Sequence, residues 1–453
     1  SCKRLNEKPF DSNRKLMSTV NMYQGRKVVF VKCAVDFLLD KCDKMVVSGI
    51  EIALTPQRRQ EIEKVNMTMA SKALRVIGFA VKYVEEEQNY KEENLIFLGL
   101  AGMIDPPRKE VKDAVKKCLR AGMRPIMITG DHMETAFAVA KEVGIVSKKS
   151  QILTGGEIDA MSDEVFLKKL ESVNVFARVS PENKVRIVEG LKTLGHVVGM
   201  TGDGVNDAAS MKKANIGIGM GITGTDVTKE VADLIITDDN FATIVVAVEE
   251  GRKVYTNIQK TVKFLFSANM GEILALFLAT IIFPQHVFLL PIQILFVNLI
   301  TDSLPAIALG VEPAEKGIME SKPRGKNKGL FSDGNAFMTI AMGIVQTLLT
   351  LSSLCIGLFI YGEASAMSMA FYTLNIVQFF YLISIRTEKS IFKSNPFANK
   401  YCNFAILFAA GLLALIALTP LHTVLKLAPL NGYEWLWILL VSIVMLFASE
   451  LCK

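Results

Sequence analysis

The sequence predicts an α/β soluble half followed by an all-α membrane half of six helices, and three observations carry that prediction. Residues 263–453 contain several apolar runs of about 20 residues, the length that crosses a bilayer. Residues 95–238 alternate short apolar strands with helix-period segments, as a parallel sheet covered by helices does. The loop Thr201-Gly-Asp-Gly-Val-Asn-Asp207 then stands at the carboxyl end of one such strand, where open α/β sheets bind ligands. At 453 residues the chain should hold about three domains, and composition splits it into a mixed, charged stretch over 1–262 and the apolar 263–453.

Composition narrows the function classes. The excess of 51 Lys+Arg over 45 Asp+Glu is modest, and the basic residues of the second half sit in short loops between apolar runs. That pattern sets membrane orientation and does not point to nucleic acid. Seven scattered cysteines without a CxxC pair read as reduced, structural thiols. The chain opens on Ser1-Cys2-Lys3 with neither a starting methionine nor a signal-type segment, and reads as a piece of a longer protein.

In the first domain, Phe10 is followed by Arg14 and Lys15, and Val28-Val29-Phe30-Val31-Lys32 places a lysine at the end of a β-branched strand. An aromatic face beside cations suits an adenine ring and its phosphates; a core phenylalanine with solvated lysines gives the same local pattern. Residues 57–75 read as a helix, 76–81 as a strand, and Glu85-Glu86-Glu87 as the start of a polar connection.

In the second, the strand Met123–Thr129 ends in Thr129-Gly130-Asp131 and leads to a helix from His132 to Val143. The strand Val173–Ala177 leads to Arg178 and to the proline-opened helix that carries Lys184. The strand His196–Met200 leads to the Asp203 loop, and Ile216–Met220 and Leu234–Ile236 supply further strands. Three strand ends thus deliver a hydroxyl, a cation and a carboxylate, the parts that cradle a phosphoryl group and its metal. Two aspartates and an asparagine in a glycine-loosened loop are hard oxygen ligands of the kind Mg²⁺ prefers. An isolated Thr-Gly-Asp-Gly would be an ordinary turn.

Asp105-Pro-Pro-Arg108, Thr129-Gly-Asp131, the Arg178/Lys184 segment, Thr201–Asp207 and Gly224-Thr-Asp-Val227 resemble, in order and spacing, the P-type cation-pumping ATPases. The resemblance spans essentially the whole chain. It implies a haloacid-dehalogenase-like phosphorylation domain at 95–254, a partial nucleotide-binding α+β domain at 1–94 and a transmembrane cation-transport domain at 255–453. It also implies ATP and Mg²⁺ as cofactors. Phe10, Lys15, Lys32, Arg75 and Arg178 would face the nucleotide. Thr129, Gly130, Asp131, Lys184, Asp203, Asn206 and Asp207 would form the phosphoryl site, with Asp203 on Mg²⁺.

Two positions depart from the family pattern: Lys32-Cys33-Ala34-Val35 replaces Lys-Gly-Ala-Pro, and Ala209 stands where proline is common. The family's nucleophile belongs to an Asp-Lys-Thr-Gly-Thr stretch, which this sequence does not contain. The Thr-Gly-Glu loop and the first four membrane helices are missing as well. The chain alone is therefore expected not to hydrolyse ATP and to need the N-terminal part of the same pump.

Candidate spans are 263–283, 291–310, 335–360, 366–385, 402–420 and 434–451. Loops 311–333 (Lys316, Lys322, Arg324, Lys326, Lys328) and 386–400 (Arg386, Lys389, Lys393, Lys400) are basic, whereas 284–290 and 361–365 hold no Lys or Arg. The positive-inside rule then makes the soluble half and the C-terminus cytoplasmic. Short extramembrane loops suggest a bacterial plasma membrane, and a monomeric, multi-pass pump is expected.

Within the spans, Asn269 and Glu272 share one helical face, and so do Asn298, Thr301 and Asp302. Intramembrane carboxylates carry a functional reading by default, and this all-oxygen set suits Ca²⁺ better than a soft metal. Asn269 and Thr301 taken singly also fit interhelical hydrogen bonding. Pro305 should loosen its helix and free carbonyls nearby. Phe266–Glu272 and Asn298–Pro305 resemble the fifth and sixth helices of calcium pumps of the sarcoplasmic-reticulum kind, and Asn298 stands where sodium–potassium pumps carry an aspartate. Those two-site pumps place a glutamate in the eighth helix; Asn375 and Gln378 are the polar candidates near that level here, so one transported Ca²⁺ is expected. A catalytically inactive pump remnant that binds nucleotide or Mg²⁺ is the alternative. A membrane-tethered phosphatase fails on the same missing aspartate and leaves the intramembrane carboxylates unexplained.

Overall fold

Alternating apolar residues build the first sheet of the computed structural model, which describes residues 2–11, 14–71, 74–86, 90–104, 106–325, 328–332, 334–391, 395 and 397–453, the side chains of Arg75 and Ile104 excepted. Asp105, Lys326 and Lys393 lie outside the described residues. Contacts divide the chain into two compact units, Ser1–Val245 and Val246–Lys453.

Seven strands form the first sheet: β1 Lys3–Lys8, β2 Leu16–Tyr23, β3 Arg26–Cys33, β4 Cys42–Val47, β5 Ile50–Ala53, β6 Leu74–Tyr83 and β7 Leu95–Ile104. Their order is β1-β2-β3-β6-β7-β4-β5, and every pair is antiparallel except β4 with β7. The β2–β3 hairpin turns on Gln24 and Gly25 at φ 48° and 73°, and β4–β5 on Ser48 and Gly49 at 50° and 82°. Two successive positive φ angles match the twist of the flanking strands, which is why glycine takes the second position. Leu16, Val20, Val29, Val31 and Phe97 bury one face against Leu38, Leu39 and Ile62 of the helices Val35–Leu39 and Pro56–Ala70. Thr55 caps the second helix through its hydroxyl, which accepts from the Arg58 N–H, and Pro56 opens it.

This arrangement corrects two expectations. The helix expected over 57–75 ends at Ala70, because Leu74 already belongs to β6. Leu95–Ile104 was expected to open the parallel core, but it pairs antiparallel with β6 inside the first sheet, so the division after residue 94 cuts through that sheet. An apolar run reads alike in either sheet, and its partners decide which it joins.

The parallel core follows as β8 Met127–Thr129, β9 Ile152–Thr154, β10 Val175–Ala177, β11 Gly199–Gly202, β12 Ile216–Met220 and β13 Leu234–Ile236. It forms two three-stranded parallel sheets, β8-β10-β9 and β11-β12-β13, where one sheet was expected. Val188, Met200 and Met211, with Ile128 and Val198 against them, join the two through one apolar cluster.

Among the described residues six helices are long and apolar enough to cross a membrane: Phe241–Ile282, Pro291–Gly310, Asn335–Tyr361, Glu363–Ile385, Lys400–Leu418 and Gly432–Leu451. They match the six expected spans to within a few residues at most ends. The first, 42 residues long, extends over roughly 60 Å, about twice the hydrocarbon thickness. The fourth is the most enclosed, with Phe371, Leu374, Val377 and Leu382 fully buried.

Candidate functional site

At the phosphoryl site the organising group is Asp207. A tight turn over Val205–Asp207 folds its carboxylate back under the loop, where one oxygen accepts from the Asp203 and Gly204 N–H groups at 3.4 and 3.3 Å. The other accepts from Lys184 Nζ at 2.6 Å, and both side chains are largely buried. Gly202 makes the fold-back possible: a Cβ there would stand 2.4 Å from that of Asp207. Ser180 holds the start of the lysine's helix by accepting from Asn183 N–H, with Pro181 in the first turn. Asp203 and Asn206 are exposed, and the Asp203 carbonyl accepts from Thr225 N–H at 3.0 Å, which seats the Gly224–Val227 motif beside the loop. An exposed carboxylate with an exposed amide beside it fits the sparse protein ligation of Mg²⁺, which keeps waters and phosphate oxygens in its shell.

Thr129 and Asp131 form a pair of their own at the end of β8: the threonine hydroxyl donates to the Asp131 carboxylate at 3.1 Å and accepts from the Asp131 N–H. The Asp131 carbonyl accepts from Arg178 N–H, so the Thr129-Gly130-Asp131 turn is tied to the end of β10. Arg178, at φ 50°, donates to Asp36 of the first domain at 2.5 Å. Burial and the nearby guanidinium of Arg178 push His132 below the usual imidazole range.

The residues matched to the nucleotide are spread more widely. Phe10 is 66% exposed. Lys15 lies over the Phe37 ring at 4.2 Å, and its carbonyl accepts from the Cys33 thiol, which burial pushes up to about 11. Lys32 is exposed on β3, opposite Met17 and Phe79. The Arg75 side chain lies outside the described residues.

In the membrane unit Glu272 and Asp302 are 4% and 2% exposed. The Asn298 amide donates to both Glu272 oxygens at 3.4 and 3.3 Å and to the Ile294 carbonyl. Asp302 lies within Coulomb range of Glu272 and against the Gln378 amide, yet among the described residues neither carboxylate oxygen has an aligned hydrogen-bond partner. Thr301 is fully buried, its hydroxyl donating to Val297. The helix widens into a π-helical segment over Val297–Asp302, just ahead of Pro305. Proline removes one donor from the ladder, and a π turn is a common adjustment at functional sites. Asn269 departs from expectation: it is exposed and lines an open apolar groove with Phe266, Met270, Ile273 and Leu274, because the packed surface of the helix ends between it and Glu272. Among the described residues no three His, Cys, Asp or Glu side chains gather. A cation here would depend on amide, hydroxyl and carbonyl oxygens beside the two carboxylates.

Residues 286–453 match the family described as cation transporting ATPase, C-terminus, and residues 1–110 the family described as P-type ATPase, cytoplasmic domain N. A calcium-transporting ATPase 1 of Bacillus cereus is 44% identical over 472 residues, covering 99% of this chain. The chain belongs to the P-type cation-transporting ATPases. Calcium-transporting ATPases of Lactococcus lactis and Bacillus subtilis are each 40% identical, over 99% and 98% of it. This P-type ATPase chain spans about half the length of these relatives: 53%, 52% and 51%.

One feature of this P-type ATPase escaped the sequence reading. Arg386, counted there only among the basic loop residues, is 2% exposed. Its guanidinium donates to Glu312 at 3.3 Å and to Asn403, while Lys260 donates to the Arg386 carbonyl at 2.6 Å and to Glu315 at 2.5 Å. Asn399 donates to the Glu312 Oε2 at 2.6 Å, an oxygen that Arg386 Nε also reaches. The network ties the first membrane helix to two connecting loops and to the Lys400–Leu418 helix. Glu312 and Glu315, acids close to the membrane end of a loop rich in lysine and arginine, were the signal available in the sequence.

Proposed function

We propose that this chain is the C-terminal portion of an ATP-driven Ca²⁺ pump, in which an aspartyl-phosphate formed outside this chain drives one Ca²⁺ per cycle out of the cytoplasm. The observation that carries the reading is the buried Glu272/Asp302 pair with neutral oxygens beside it, in a chain whose calcium-transporting relatives align along nearly its whole length. Two carboxylates neutralise a divalent cation, and Asn298 and Thr301 add the hard neutral oxygens that Ca²⁺ accepts in a flexible shell. The basic loops support a cytoplasmic side for the soluble unit and the C-terminus, and the short loops between spans support a bacterial plasma membrane.

In the soluble unit, Asp207 would hold Lys184 at the carboxyl ends of the strands, where its ammonium meets phosphoryl oxygens. Asp203, left free by that pairing, would hold Mg²⁺, which supplies charge neutralisation at the transferred phosphoryl group. Thr129 would donate to another of its oxygens. ATP would lie over the first sheet beside Phe10, Lys15 and Lys32, with Arg178 at its phosphates. β8 and β11 each end their sheet on one side among the described residues. A parallel strand from the remainder of the pump would pair with these free edges and present the nucleophilic aspartate to the Thr129 and Asp203 loops.

The test is phosphorylation of the complete pump by ATP with Ca²⁺, Mn²⁺ and Na⁺ compared side by side, together with equilibrium Ca²⁺ binding. Stimulation by Ca²⁺ with one ion bound per pump is expected. Stimulation by Na⁺ alone overturns the ion assignment, and more than one bound Ca²⁺ overturns the stoichiometry.

A further inference from the structure

Gln346, on the Asn335–Tyr361 helix, has no exposed surface, and neither atom of its amide has a hydrogen-bond partner among the described residues. An amide buried among apolar helices is costly unless something engages it. A glutamine serving as glue between helices would spend its donors and acceptor on a neighbour; this one does not.

Its position is tightly fixed. The side chain lies across Gly271, the residue before Glu272: a Cβ on Gly271 would stand 2.8 Å from Gln346 Cδ and 3.0 Å from its Cβ. Thr347 donates to the Gly271 carbonyl at 3.2 Å, and Gly343, one turn away, lets the helix approach Met270. Only a glycine at 271 admits the glutamine there.

Two polar contacts set its depth. Thr373 donates to Ser353 at 2.7 Å between the antiparallel third and fourth helices, and Ser267 meets the Tyr381 hydroxyl at 3.3 Å between the first and fourth. Gln346 lies two turns along from Ser353, Gln378 about one and a half turns along from Thr373, and Glu272 about one and a half turns beyond Ser267. Glu272, Gln346 and Gln378 therefore share a level to within about one turn. The orphaned atoms of the membrane unit include both oxygens of Asp302, both amide atoms of Gln378 and the Asn375 carbonyl oxygen. Asn375 spends its NH₂ on the Phe371 carbonyl and leaves that oxygen free.

We propose that Gln346 is a further member of the cation site, its amide carbonyl giving a neutral oxygen to a hard divalent cation held between Glu272 and Asp302. The proposal rests on the reading of the membrane unit as a cation pump. Two carboxylates alone leave most of the six to eight oxygens of a Ca²⁺ shell to neutral groups, and Gln346 supplies one from a helix that the sequence pattern left without a role. Its NH₂ then faces a carboxylate oxygen not engaged by the metal.

The test uses the complete pump. The Ca²⁺ concentration that half-saturates phosphorylation by ATP is measured for the wild type, Gln346→Met and Gln346→Glu, beside thermal melting without Ca²⁺. Gln346→Met should raise that concentration about tenfold or more with melting unchanged or higher, since an orphaned amide is removed. Gln346→Glu should lower it, or make it strongly pH-dependent, by adding a charged ligand. A Gln346→Met pump within about twofold of wild type overturns the proposal. Should Gln346→Met fail to fold, an unchanged affinity in Gln346→Glu does so instead. If the wild type responds to Mn²⁺ and not to Ca²⁺, the same ratios are taken with Mn²⁺; the calcium reading then fails while the glutamine is still judged.

Discussion

Lys184 and Asp207 in the soluble unit meet at 2.6 Å, and backbone N–H groups complete the carboxylate's shell. Glu272 and Asp302 in the membrane unit are more deeply buried, but among the described residues no cationic side chain pairs with either. The first arrangement is finished: its charges cancel, and what it leaves exposed, Asp203, is the group free to act. The second is unfinished, since two acids in apolar surroundings are stable only when a cation or a proton compensates them. Satisfied charge thus marks the scaffold of a site, and unsatisfied charge marks the place where the ligand belongs.

The largest effect on cation binding should come from breaking the unfinished pair. Asp302→Asn keeps the shape and removes one charge, so Ca²⁺-dependent phosphorylation of the complete pump should weaken by about a hundredfold or more, near 2.7 kcal/mol of cation affinity. Melting without Ca²⁺ should hold or rise, because an unpaired buried acid is gone. Unchanged Ca²⁺ dependence would remove Asp302 from the site.

The finished type of charge should respond in the opposite sense, through stability. Glu312→Gln leaves the Arg386 guanidinium buried without its counter-ion, and losing one partner of a buried pair costs about 3–5 kcal/mol. A markedly lower melting temperature is expected, whereas replacing Arg386 and Glu312 together by Met and Leu should recover most of the loss. Asp207→Ala should cost less, about 1–3 kcal/mol, since the Lys184 ammonium is partly exposed and it and the Asp203 and Gly204 amides can find water. Hydrogen exchange over residues 201–207 reads it directly: these amides should exchange faster in the variant, and equal rates would mean that Asp207 does not hold the loop.

The same contrast explains how far the sequence could be read. The spans, the strand-loop-helix order of the parallel core and the acids at Glu272 and Asp302 follow from periodicity, run length and the rarity of charge in lipid. Register and partner choice do not. Thr201–Asp207 offers two aspartates, and only the turn over Val205–Asp207 decides that Asp207 faces Lys184 while Asp203 stays free. Helical spacing puts Asn269 and Glu272 on one face, but where packing stops along that face is a tertiary matter, and it leaves Asn269 exposed. Leu95–Ile104 carries a strand signal with no label for its sheet. Gln346 carried a usable signal, a glutamine within an apolar run, whose meaning appears only beside Gly271.

The smallest expected effect concerns a partly buried histidine whose pKa the fold lowers. His132 caps the helix Met133–Val143 by accepting from the Glu134 N–H through Nδ1, and burial with the Arg178 guanidinium nearby lowers its pKa. A protonated imidazole cannot accept that bond, and a positive charge at a helix N-terminus opposes the helix dipole. Because the folded pKa lies below the unfolded one, about 6.5, the unfolded chain binds the proton more readily. The contribution is therefore complete above that unfolded value and is lost as pH falls through the folded one. Exchange protection in the first turn after His132 should decline as pH falls below about 6.5 and through the lowered folded value. His132→Asn, which still accepts from the Glu134 N–H and does not titrate, should flatten the profile; a profile unchanged in that variant would assign the pH dependence to another group.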